Sequence, residues 1–189
     1  MLTETTFPVK EMPAIWADKE NGNVLNKGTG YKFIVREDTN EILSCMTNEY
    51  KLVTNQEIMN TAEPILKKCG ATLREAKILQ NGKKTQWKYV ISGVKVPISK
   101  NDLVSPEVII KNSYDGSWEL GIMAGAFRLV CSNGMVIGVI LDKKSNRHSI
   151  YNPRIDDLES MIVDTIENTS NVFEQDFAML KDTKVRNTH

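Results

Sequence analysis

The sequence predicts an α+β fold, an antiparallel β-meander with one helix after the early strands and a long C-terminal amphipathic helix. Three observations carry this reading. Asn81-Gly82, Asp115-Gly116 and Asn133-Gly134 each stand between β-prone runs and suit the positive-φ positions of type I′ hairpin turns. Thr54-Asn55-Gln56-Glu57 has capping-box spacing and opens a helical apolar stripe. Ile155, Leu158, Ile162, Ile166, Phe173, Phe177 and Leu180 recur at helical spacing after Tyr151-Asn152-Pro153.

Taken in order, residues 1–30 read as an irregular lead-in, punctuated by Pro8, Pro13, Gly22, Gly28 and Gly30 without an apolar period. Residues 31–150 form the expected α+β core domain, and residues 151–189 an acidic helix and tail. In the core, residues 31–35 and 42–46 read as two strands around a polar loop. Ile58, Ala62, Ile65, Leu66 and Cys69 share a helical face, and Gly70 supplies the stop. Pro64 lies inside that pattern and predicts a kink or a split.

A two-residue loop at Asn81-Gly82 sets the parity of the strands around it. Ala76, Ile78, Trp87, Tyr89 and Ile91 then share an apolar face, while Glu75, Lys77, Lys84, Gln86 and Lys88 share a solvated one. Residues 107–111, 118–123, 127–131 and 135–141 read as four further strands, with a reversal near Gly125. In a meander, alternate turns lie at one end of the sheet. That expectation sets the Asp115-Gly116 and Asn133-Gly134 turns side by side and gathers Asn112, Ser113, Asp115, Ser117 and Asn133 into a polar rim. Such a rim could take a ligand. The same residue types are also what hairpin turns require, and mutual locking of the two turns is the favoured reading.

The chain of 189 residues carries 24 basic and 24 acidic side chains, with 41% apolar content, as a folded soluble domain does. Its longest charge-free stretch, residues 129–141, is shorter than the ~20 residues of a membrane-spanning helix, so no membrane association is expected. The first residues lack the basic and apolar regions of a secretory signal. Three scattered cysteines, Cys45, Cys69 and Cys131, fit a reducing compartment, and a cytoplasmic location is expected. The zero net charge conceals an asymmetry. Residues 67–111 hold ten basic and three acidic side chains, and residues 155–182 hold eight acidic and one basic. A polyanionic partner for the middle of the chain is therefore compatible with overall neutrality.

Catalytic signatures are sparse. Two histidines and no Cys-x-x-Cys pair give no metal-site spacing, and no cofactor is expected. Gly82-Lys83-Lys84-Thr85 lacks the upstream glycine of a phosphate-binding loop, and Gly28-Thr29-Gly30 lacks the third glycine of a dinucleotide loop. Cys131, His148 and Asp115 can be written as a nucleophile set, but a buried strand cysteine is the simpler reading of Cys131.

Lys111-Asn112-Ser113-Tyr114-Asp115-Gly116-Ser117, followed by Phe127-Arg128-Leu129-Val130-Cys131-Ser132-Asn133-Gly134, resembles the phage/plasmid-like family known as domain of unknown function 932. The segment beginning at Tyr50 is similar to that family's tyrosine-initiated stretch before its first helix, and the resemblance runs over roughly residues 30–150. Tyr114 stands where the family usually has histidine. The resemblance implies a mobile-element origin and action in a bacterial cytoplasm, with no established chemistry.

The expected function is nucleic-acid binding, including single-stranded DNA, as a recombination or annealing accessory. Lys77, Lys83, Lys84 and Lys88 are the expected phosphate contacts. Parity places Trp87 and Tyr89 on the opposite face, in the core rather than against bases. The alternative is a non-enzymatic anti-defence protein that binds a host protein. The acidic C-terminal stripe, facing the basic middle of a neighbour, predicts a homo-oligomer.

Overall fold

The computed structural model describes residues 2–17, 24–92, 95–99, 102–129, 136–146 and 159–165. The short helix α1 (Leu2–Thr5) leads into β1 (Val9–Ala17), β2 (Val24–Arg36) and β3 (Glu41–Thr47), which form an antiparallel three-stranded sheet in that order. Most of the described residues before Tyr31 thus lie in strands rather than in an irregular lead-in. Pro13 fits because β1 is an edge strand, where a missing N–H breaks no ladder, and the pairing slips just beyond it.

Helix α2 (Asn55–Lys68) follows, capped as its spacing predicts: the Thr54 side chain accepts from the Glu57 N–H and the Glu57 carboxylate accepts from the Thr54 N–H. It is one unbroken helix of 14 residues. Pro64 removes the N–H that would reach the Asn60 carbonyl, but both residues are exposed, so solvent can satisfy that group.

The chain then builds β4 (Ala71–Leu79), β5 (Lys84–Ile91), a small hairpin of β6 (Val96–Ser99) and β7 (Asp102–Val104), β8 (Pro106–Ser113), β9 (Leu120–Leu129) and β10 (Val136–Asn146). Five of these form the main sheet, ordered β10-β9-β8-β5-β4 and antiparallel throughout. Its inner face carries Trp87, Tyr89, Val108, Ile110, Ile122 and Ala124, packed with Ile58, Met59, Ala62 and Leu66 of α2. Met161 and Ile162, from a helical segment at residues 159–165 (α3), join the same cluster. A second cluster of Phe7, Ile34, Leu43, Tyr50 and Tyr114 ties the two sheets together.

Two expectations need correction. The fold is mainly antiparallel β-sheet with short helices, not a single meander flanked by a long C-terminal amphipathic helix. At the C-terminal end the helix among the described residues is α3, at residues 159–165; Ile155, Leu158, Ile166, Phe173, Phe177 and Leu180 lie outside the described residues. Apolar spacing marks which positions can face a core; how far a helix runs depends on the packing available to it. Where α3 is described, its apolar residues face their own main sheet and Asp164 pairs with Lys144 of β10.

The second correction concerns Gly125. It sits inside β9, between Glu107 of β8 and Ile140 of β10. Its neighbours Ala124 and Ala126 bring no Asn, Asp or Pro to drive a turn, and flanking strands satisfy its backbone on both sides. The chain therefore runs straight on where a reversal was expected, which removes the basis for setting Asp115 beside Asn133.

Candidate functional site

The Asn81-Gly82 hairpin forms as its residues predict. Asn81 and Gly82 have φ of 55° and 93°, and Glu75 faces Lys88 while Ala76 faces Trp87. Gly is favoured at position 82, because its φ of 93° strains an L side chain and an added Cβ would lie 3.2 Å from Phe7 Cζ, at the joint with the small sheet. Parity then divides β5: Thr85, Trp87, Tyr89 and Ile91 are buried, and Lys84, Gln86 and Lys88 emerge on the outer face of the main sheet. Burial pushes the Tyr89 phenol up to about 12, so it stays neutral within the core.

The outer face is assembled from four neighbouring strands, β4, β5, β8 and β9, and a turn. Gln86 lies opposite Lys111 of β8, and Lys111 opposite Gly121 of β9. Gly121 offers no side chain, so the Lys111 stem lies flat, with its Cε 3.2 Å from where a Cβ would stand. Lys77 is exposed and pairs with Glu75 at 2.9 Å. Lys88 approaches Glu107 at 3.4 Å, and Arg74 bonds the other oxygen of that carboxylate at 2.7 Å. Glu107 is only 4% exposed, so this buried anion neutralises part of the face from beneath. Lys83 stands at the turn, where its carbonyl accepts the Tyr114 N–H at 2.8 Å. The structure thus brings Lys77, Lys84 and Lys88 to one face, with Lys83 at its end.

Trp118 completes this surface, and sequence reasoning missed it. The Lys84 and Lys111 ammonium groups lie over its ring, 5.1 and 5.5 Å from the centroid. The indole is half-buried and held from its backbone. Ser113 Oγ accepts the Trp118 N–H at 3.0 Å and donates to the Trp118 carbonyl at 2.9 Å. Within the same turn, the Asp115 carboxylate accepts from the Ser117 N–H at 3.0 Å and from its hydroxyl. Burial opposes the Asp115 charge, but the Ser117 bonds and the nearby Lys84 outweigh it and hold the carboxyl below its ordinary pKa. Gly116 has φ of 69°, and a Cβ there would meet Met46 Cε at 3.0 Å. The Asp-Gly-Ser run therefore builds a rigid turn that presents Trp118.

The remaining rim residues are buried, Asn112 on the inner face beside Thr85 and Ser113 on the outer side beside Lys84. Asn112 and Ser113 are essentially closed to solvent. Asn112 donates to the Asn55 side chain at 2.8 Å and the Val53 carbonyl at 3.2 Å, and Asn55 donates to Thr85 at 2.9 Å and the Thr5 carbonyl at 2.7 Å. The Tyr114 hydroxyl accepts the Asn55 N–H at 2.9 Å, satisfying a first-turn donor of α2. Tyr50 donates to the Ser113 carbonyl at 3.0 Å, and burial raises both the Tyr50 and Tyr114 phenols above the ordinary tyrosine value. These groups lock α1, α2 and both sheets together. Of the proposed rim, Asp115 and Ser117 reach the surface, while Asn133, with Cys131 and His148 of the nucleophile set, lies outside the described residues. The true neighbour of the Asp115-Gly116 turn is the Asn81-Gly82 turn, because β5 and β8 are paired.

Among the described residues, no group of three His, Cys, Asp or Glu side chains could hold a metal ion, and no helix is long and apolar enough to cross a membrane. Residues 42–189 match the family model described as a domain of unknown function, DUF932. The chain belongs to that family. The DUF932 match starts within β3, so β1 and β2 precede it. No curated protein and no solved structure matches the chain. In this DUF932 protein the Asn-Ser-Tyr-Asp-Gly-Ser motif has two physical tasks: its first half closes the buried network and its second half shapes the turn under Trp118.

Proposed function

We propose that the outer face of the main sheet binds nucleic acid through its phosphates, in the bacterial cytoplasm that a mobile-element protein would occupy. The observation that carries the reading is the clustering of Arg74, Lys77, Lys84, Lys88 and Lys111 on one open sheet face, against Glu75 and the buried Glu107. Lysines on flexible stems suit a sequence-independent, salt-sensitive contact with a polyanion. The fold puts no histidine or thiol on this face among the described residues, so binding is the chemistry its side chains support.

Lys84 and Lys111 reach the outer face beside the Trp118 ring, which makes them the direct test. Lys84→Gln with Lys111→Gln keeps part of each apolar stem and removes both charges. Affinity for nucleic acid is expected to fall, and the slope of log K against log salt to flatten by about 0.7 per lost contact. An unchanged slope would sink the reading. Lys88 is a poorer choice for charge reversal, since a carboxylate there would face the buried Glu107.

Glu107→Gln works in the opposite direction. It releases Arg74 and Lys88 from their shared anion, so each becomes available to a phosphate. Binding is expected to tighten, and the salt slope to steepen by about 0.7 for each cation recruited. Weaker binding in a folded Glu107→Gln protein would count against the face.

A further inference from the structure

We infer that Trp118 is a base-stacking platform that makes this face selective for unpaired polynucleotide strands. The inference rests on the proposed nucleic-acid reading and adds the substrate class to it. Phosphate contacts alone do not separate single strands from duplex, because both present the same anionic backbone. A stacking partner does separate them, since a base in a duplex already has both of its faces covered and an unpaired base does not.

Trp118 has the three properties such a platform needs. It lies on the open face instead of in the core, unlike Trp87, which is 0% exposed. Its position is preset: the Ser113 side chain holds its N–H and its carbonyl, and the Asp115–Ser117 bonds stiffen the turn before it. Little ordering is therefore left to be done when a base arrives. Finally, Lys84 and Lys111 keep their ammonium groups within 5.5 Å of the ring centroid. A nucleotide stacked on the indole carries its own phosphate into reach of these cations, so stacking and charge act on the same residue of the strand. The other described aromatics of the main sheet's core, Trp87 and Tyr89, lie on the buried side and cannot take this role.

The test compares four ligands on the full chain: oligodeoxyuridylate, oligouridylate, an abasic oligomer of equal length and charge, and a duplex. Wild type is expected to prefer the first two, and whichever of them binds more tightly identifies the sugar. Trp118→Ala is expected to lower affinity for these unpaired strands by about 5- to 150-fold, the range for one stacked base. Its affinity for the abasic oligomer and the duplex should stay unchanged. Trp118→Phe, which keeps a π-face, should recover most of the loss. A uniform loss across all four ligands, or none, overturns the platform while leaving phosphate binding intact. Failure of wild type to bind any of the four overturns the nucleic-acid reading itself, and the platform with it. A thermal midpoint for each variant separates loss of the ring from loss of the fold.

Discussion

Trp87→Ala is expected to destabilise the protein by ~3–5 kcal/mol, the range for deleting a large aromatic ring from a packed core. Trp87 is 0% exposed at the middle of the inner face, opposite Ala76 on one side and Ile110 on the other. Its indole N–H also donates to the Thr5 hydroxyl at 2.9 Å, so the substitution removes both volume and a buried hydrogen bond that anchors α1. Trp87→Phe keeps most of the volume and should lose considerably less. Denaturant unfolding with an unchanged slope measures both. A loss below about 1 kcal/mol for the alanine variant would mean that the ring is not the centre of the core.

The second large effect is expected at Asn55. Its side chain is fully buried, donates to Thr85 Oγ1 and the Thr5 carbonyl, and accepts from Asn112. Asn55→Ala deletes three bonds at the meeting point of α1, α2, β5 and β8. Each buried polar group that loses its partner costs about 1–3 kcal/mol, so a total on the order of 3–4 kcal/mol is expected. Thr85→Val removes only one of these bonds and should cost less than half as much. Equal losses for the two variants would show that the network does not act through Asn55. Hydrogen exchange of the α2 amides adds an independent readout, because Asn55 and the Tyr114 hydroxyl together hold the start of that helix.

Both effects come from side chains whose burial was unequally legible. Alternation alone assigns Trp87 to the core: the Asn-Gly turn sets the register, and register decides the face of every residue on both strands. Asn55 read only as the second residue of a capping box, and Asn112 only as a turn former. Nothing local distinguishes an amide that caps a turn from one that bonds a partner 57 residues away. The same limit hid Trp118. Its cationic neighbours Lys84 and Lys111 become neighbours only when β5 pairs with β8 across the intervening β6–β7 hairpin.

What the sequence determined by itself was local. The capping box of α2, the positive-φ turn at Asn81-Gly82, the two faces of β5 and the basic character of the middle segment each depend on residues within a few positions of one another. Tertiary structure decided the rest. It made β9 continuous through Gly125, because strands on both sides supplied hydrogen bonds where a turn had no driver. It added β1 to the lead-in, because an edge position tolerates Pro13. It also turned Asn112 inward and left Ser113 and Trp118 on the outer side, where Ser113 bonds the backbone of the turn and holds the indole over the outer face. Backbone propensity acts over one or two turns of chain, whereas the pairing that creates this surface joins strands tens of residues apart, and only the folded sheet brings them together.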